Sequence, residues 1–170
     1  MEVELDGFSF LILAVLVGGV IAYAMTRGSG WRGLAGKYPA SAPYTGQLRR
    51  CGTFQMMALD ANQSFPVRFA GGIVSVGVTS DALYIVAPSL VRFLFPTIQL
   101  PWVAVASARP FEAPGWVQPV GEPVALLQVQ VQYDPGFSGE FIELETTAPK
   151  TCIRLPAYAI ADARSHLPLS

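Results

Sequence analysis

Gly7 to Thr26 reads GFSFLILAVLVGGVIAYAMT, a run of about 20 residues without a charge. A helix rises about 1.5 Å per residue, so this run spans roughly 30 Å, the thickness of a bilayer core. It predicts a transmembrane helix over residues 7–26, with a short segment, 1–6, on the far side. A secretory signal peptide is the competing reading, and Ala22-Tyr23-Ala24 has the small-x-small form of a cleavage site. The flank argues against it, because Glu2, Glu4 and Asp6 precede the run and no Lys or Arg does. The run is also long for a signal core. An uncleaved anchor is therefore the expectation.

The flanks also set a direction. Arg27, Arg32 and Lys37 follow the run closely, and basic residues near a span stay in the cytoplasm. The expected arrangement is a single-pass protein of the cell membrane, with everything from Arg27 onward in the cytosol. Gly18 and Ala22 have the small-xxx-small spacing of helix pairs, but Gly and Ala are common in spanning helices generally.

Composition narrows the rest. Of 170 residues, 52% are hydrophobic and 14% charged. Beyond the anchor about 140 remain, enough for one domain with a core. That part carries 11 basic residues and nine of the 12 acidic ones, a formal +2. A near-neutral domain with no long basic run is a poor nucleic-acid binder. All 14 prolines lie after the anchor, which suits strands and loops better than long helices. Cys51 and Cys152 are too far apart for a CxxC metal motif. In the cytosol they are expected as free, packed thiols; outside the cell they could form one bridge.

Residues 27–45 read as a juxtamembrane helix and linker. In Gly28–Tyr38, GSGWRGLAGKY, one helical face would carry Trp31, Leu34 and Tyr38. Two readings stand, together or apart. Trp31 and Tyr38 can sit at the membrane interface with Arg32 and Lys37 on anionic head groups, or the helix packs on the domain. Pro39–Tyr44 is a linker. The domain, 46–168, then reads as a series of strands. Gln47–Leu59 is a first strand, Val67–Phe69 a short one, and Gly71-Gly72 a turn or bulge. Ile73–Ala87, IVSVGVTSDALYIVA, is a hairpin turning at Thr79-Ser80-Asp81-Ala82. A strand opens at Pro101 and runs to Ala108. Pro110–Pro123, with four prolines and Trp116, reads as a surface loop. Val124–Tyr133 alternates as a strand, and Asp134-Pro135-Gly136 turns. Glu140–Thr147 and Cys152–Leu155 are further strands, and Pro156 opens a terminal helix through His166.

Thr79, Leu83 and Tyr84 in the hairpin, followed by Leu100, Pro101, Trp102 and Val105, form a T-x-x-x-L-Y and I-P-W-like pattern. This pattern resembles the centre of GRAM-like and other bacterial pleckstrin-homology-like domains. The Trp31-to-Tyr38 segment after a single span is similar to that of small bacterial membrane proteins of this kind. The resemblance implies a mainly-β domain of two bent antiparallel sheets, a PH-like two-sheet barrel closed by a C-terminal helix. It carries no ligand with it. The clustered basic loop of phosphoinositide-binding members is missing, Arg49-Arg50 being the nearest feature.

Catalytic and cofactor chemistry find little footing. His166 is the one histidine, without a nearby Cys, and no nucleophile elbow, Walker loop or dinucleotide fingerprint occurs. Glu143 and Glu145 would share a solvated strand face. Contact chemistry is better represented. Arg92, Phe93 and Phe95 join the hairpin to the next strand; exposed, they form an apolar patch beside a cation, and buried, the two rings fill the core. Trp116 is the candidate exposed aromatic, while Trp102 reads as core. The expected function is a membrane-anchored, non-catalytic binding or scaffolding module at the cytoplasmic face. Its partners would be membrane lipids and a protein, without a cofactor, metal or nucleic acid. The alternative is an envelope enzyme, or enzyme subunit, with an extracytoplasmic β domain.

Overall fold

The computed structural model describes residues 7–60, 65–112 and 140–168. Helix α1 (Gly7–Gly28) is two residues longer at its end than the apolar run. Phe10, Ile12, Val15 and Val17 point to different sides and are all exposed. A helix apolar all round needs an apolar surrounding. Ser9–Gly28 is long and apolar enough to cross a bilayer, and almost none of it is covered by the rest of the chain.

Helix α2 (Trp31–Lys37) follows after one sharp turn. Gly30 makes that turn with φ of 83°, and a Cβ there would press on Ala58 and Thr151. The Ser29 hydroxyl accepts the Trp31 amide at 3.3 Å and steadies the corner.

The strands are β1 (Arg49–Arg50), β2 (Thr53–Ala58), β3 (Val67–Ala70), β4 (Ser75–Val78), β5 (Ala82–Val86), β6 (Ile98–Pro101), β7 (Val105–Glu112), β8 (Glu140–Thr146) and β9 (Thr151–Pro156). They form two antiparallel sheets, ordered β1-β4-β5-β6 and β3-β2-β9-β8-β7. The architecture is mainly β plus helix, and the two sheets do not close into a barrel. Phe54, Met56, Ile85, Leu100, Leu144 and Ile153 meet between them in one core.

Two expected strands are each broken by a corner. Gln47–Leu59 divides at Cys51-Gly52, β1 joining one sheet and β2 the other. Tyr158 pins that corner: its hydroxyl donates to the Arg50 carbonyl at 3.0 Å and accepts the Gly52 amide at 3.2 Å. Of the strand expected over Pro101–Ala108, only Val105–Ala108 is strand, the start of β7, and Pro101 ends β6. Trp102–Ala104 makes a 3₁₀ turn before β7. The Trp102 amide and indole donate to Asp81 and Thr79 in the β4–β5 turn, at 3.0 Å each. These bonds turn the chain away from the first sheet. The hairpin β4–β5 and the Gly71-Gly72 turn fall where the sequence places them, both glycines at positive φ.

Other expectations need correction. Pro110 and Phe111 belong to β7, paired with Ile142 and Phe141, rather than to a loop. Tyr44 is packed, not part of a free linker: its ring lies 4.9 Å from that of Tyr84 and its hydroxyl reaches the Val78 carbonyl. Ala157–His166 is 3₁₀ and broken at Ile160 instead of one helix. Its buried Ala159, Ile160 and Ala163 are seated in the core, and packing there outweighs a regular backbone. The expected strand Val124–Tyr133, the turn at Asp134, Trp116 and the acidic flank lie outside the described residues.

Glu143 also departs from expectation. Gln55, Arg154, Glu143 and Arg109 stand in register across β2, β9, β8 and β7. Both arginines bond the carboxylate, Arg109 Nε at 2.8 Å and Arg154 Nε at 2.6 Å. Glu143 is thereby enclosed at 4% exposure, not solvated. Arg154 also lies over the Phe111 ring at 4.1 Å.

Candidate membrane-interface site

The end of α1 is joined to the core without slack. Trp31, the third residue past Gly28, is 0% exposed, as is Leu34 one turn on. The Trp31 ring meets Phe54, Phe69 and Phe95 at 6.2, 5.6 and 5.3 Å. Its indole donates to the Pro96 carbonyl at 2.9 Å. Trp31 is thus a core residue rather than an interfacial one. Helical spacing alone could not decide this, because the rings that bury Trp31 come from β2, β3 and the β5–β6 connection.

Those same contacts place the β5–β6 connection beside the start of α2, three residues past the end of α1. Phe95, 8% exposed, is held by Trp31 and belongs to the core, which corrects its place among the contact residues. Phe93 is 80% and Leu90 86% exposed. The 3₁₀ turn Ser89–Val91 lifts them outward, and Arg92 Nε donates to the Ala87 carbonyl at 3.1 Å. Two exposed apolar side chains thus flank an exposed guanidinium on the loop tied to the helix end. The opposite end of β5 and β6 carries Trp102 and the exposed Val103. That end lies roughly 15 Å away along the strands.

The remaining candidates divide. Arg32 and Lys37 are exposed on α2. The Arg32 guanidinium sits 5.0 Å over the ring of Tyr23, in the last turns of α1. Tyr38 is half-buried and donates its hydroxyl to the Ala148 carbonyl at 2.8 Å. Two residues missed from sequence join the site. Leu90 lacks any periodic signal. Phe65 lies so close to Gly28 that a side chain at Gly28 would collide with its ring. Only the fold brings Phe65, two residues before β3, to the helix end.

The nucleophile and acid–base groups elsewhere are held in quiet environments. Cys51 and Cys152 are free and buried, and desolvation pushes both thiols up to about 12. Burial alone would raise Glu143, but the bonds from Arg109 and Arg154 outweigh it and hold the carboxyl below its ordinary value. His166 is exposed and stacks on Trp102 at 6.3 Å. Among the described residues no three His, Cys, Asp or Glu side chains form a metal-binding group. No protein-family model, curated protein or solved structure matches this chain.

Proposed function

We propose that this chain is a membrane-anchored, non-catalytic binding module that presents a β-rich domain at the bilayer surface. The observation that carries it is the seamless passage from an uncovered apolar helix to Trp31 and Leu34 inside the core. A domain held that way cannot swing freely from its anchor. Leu90, Phe93 and Arg92 then face the lipid interface, where apolar tips and a cation suit the head-group region. Arg27, Arg32 and Lys37 support a cytoplasmic placement of the domain. The two antiparallel sheets and the C-terminal helical segment are in keeping with a PH-like relationship. The arginine-paired Glu143 carboxylate and the desolvated thiols favour binding over catalysis.

A polarity-sensitive fluorophore tests this reading. The native thiols are buried, so a cysteine at Phe93→Cys or Val103→Cys takes the label alone. In the full chain reconstituted into nanodiscs, the probe at 93 should shift to the blue and be quenched by brominated lipid. The probe at 103 should report water. Identical spectra at the two positions, or release of the parent chain from membranes by alkaline carbonate, would overturn the proposal.

A further inference from the structure

Beneath the corner at Gly30 lies a cleft of about 280 Å³. Its lining is mostly apolar and includes Gly33, Ala58 and Pro149. Its rim carries three cations: Arg27 from the last turn of α1, Arg32 from α2, and Lys150 from the β8–β9 turn. One carboxylate, Asp60, faces them, and its Oδ2 accepts the Lys150 backbone amide at 3.0 Å. Among the described residues neither Arg27 nor Lys150 has a carboxylate within salt-bridge distance. The cleft therefore has a surplus of two positive charges.

Its position matters as much as its charge. Arg27 is within the last turn of α1, so the rim sits at the level where lipid head groups begin. Tyr23, under Arg32, faces the same level from the helix. A mostly apolar cleft lined by three cations at the end of an apolar helix matches a molecule with a charged phosphate and a greasy body. Arginine forks favour phosphate oxygens geometrically, and a lysine adds a point charge.

We infer that this cleft binds the phosphate head group of an anionic phospholipid of the surrounding bilayer, with Arg27, Arg32 and Lys150 as its ligands. The inference rests on the membrane-anchored reading above and adds a specific lipid class to it. A bound lipid bridges α1, α2 and the β8–β9 turn, and so fixes the domain's tilt on the membrane.

The test is native mass spectrometry of the full chain released from nanodiscs of equal phosphatidylglycerol and phosphatidylcholine. The parent chain should retain phosphatidylglycerol preferentially. Arg32→Gln and Lys150→Gln should each cut that preference roughly five-fold, the weight of one cation near an anionic surface. Arg50→Gln, a cation outside the cleft, should leave it unchanged. Near-UV circular dichroism checks that each variant keeps its fold, and the two cleft variants stand on different elements. Equal retention of both lipids by the parent, or an equal loss with Arg50→Gln, overturns the site. Displacement of the bound lipid by free glycerol phosphate overturns the lipid assignment in favour of a soluble anion. Carbonate extraction of the same variants reads the anchor separately, because removing a rim cation leaves the apolar helix intact.

Discussion

Replacing Trp31 by alanine distinguishes a core residue from an interfacial one. The side chain is fully enclosed, touches three aromatic rings and satisfies the Pro96 carbonyl. Truncating a buried tryptophan costs about 3–5 kcal/mol in transfer and cavity terms. The orphaned Pro96 carbonyl adds about 1–3 kcal/mol where it stays dry. Domains of this size hold only about 5–15 kcal/mol in total. The melting temperature should therefore fall by roughly 10–20 °C. Trp31→Phe keeps most of the apolar volume and should lose a smaller part. The assay is a near-UV circular-dichroism melt of the full chain in detergent micelles, with the exposed Arg32→Ala as a neighbouring control. Limited proteolysis should also find a new site between Gly28 and Tyr38 in the alanine variant. A melt for Trp31→Ala that superimposes on the parent's would refute the reasoning, because an interfacial tryptophan leaves the domain's own stability alone.

Phe93→Asp should melt with the parent, whereas Phe95→Asp should abolish cooperative melting, since one ring is exposed and the other lies against Trp31; equal behaviour of the pair would contradict the loop geometry. Neither native thiol should react with a maleimide in the folded chain near neutral pH, and both should react on unfolding, because only the thiolate attacks and burial pushes both up to about 12. Rapid native labelling of Cys51 would show the β1–β2 corner to be open, and it follows that a topology assay needs an introduced cysteine such as Val103→Cys. Glu143 has a lowered folded pKa, so its contribution is present above the ordinary glutamate value of 4.5 and is lost as pH falls through the lower folded value. The melting-temperature gap between the parent and Glu143→Gln should accordingly be full at pH 7 and shrink in acid; a gap independent of pH would mean the carboxylate is not held by Arg109 and Arg154.

Much of the local structure was legible in the chain. The length and uniform greasiness of Gly7–Thr26 define α1, since a bilayer-length run needs no partner to be recognised. The Thr79–Ala82 turn and Gly71-Gly72 follow from backbone chemistry that acts over a few residues. The β8 and β9 strands fall where strands are expected, at Glu140–Thr147 and Cys152–Leu155. Tertiary structure decided what these signals leave open. Trp31 and Phe93 are both large aromatics beside a cation, yet one is enclosed and the other stands in the open. That difference depends on rings from distant strands. Glu143 sits on a strand face that reads as solvated, and only register with its two neighbours, β7 and β9, brings Arg109 and Arg154 onto it. The breaks at Cys51 and Trp102, where the chain passes between sheets, are set by Tyr158 and by the β4–β5 turn. Lys150 meets Arg27 and Arg32 because β9 ends up beneath Gly30. Periodicity describes a segment's own faces, and burial belongs to whatever the fold places against them.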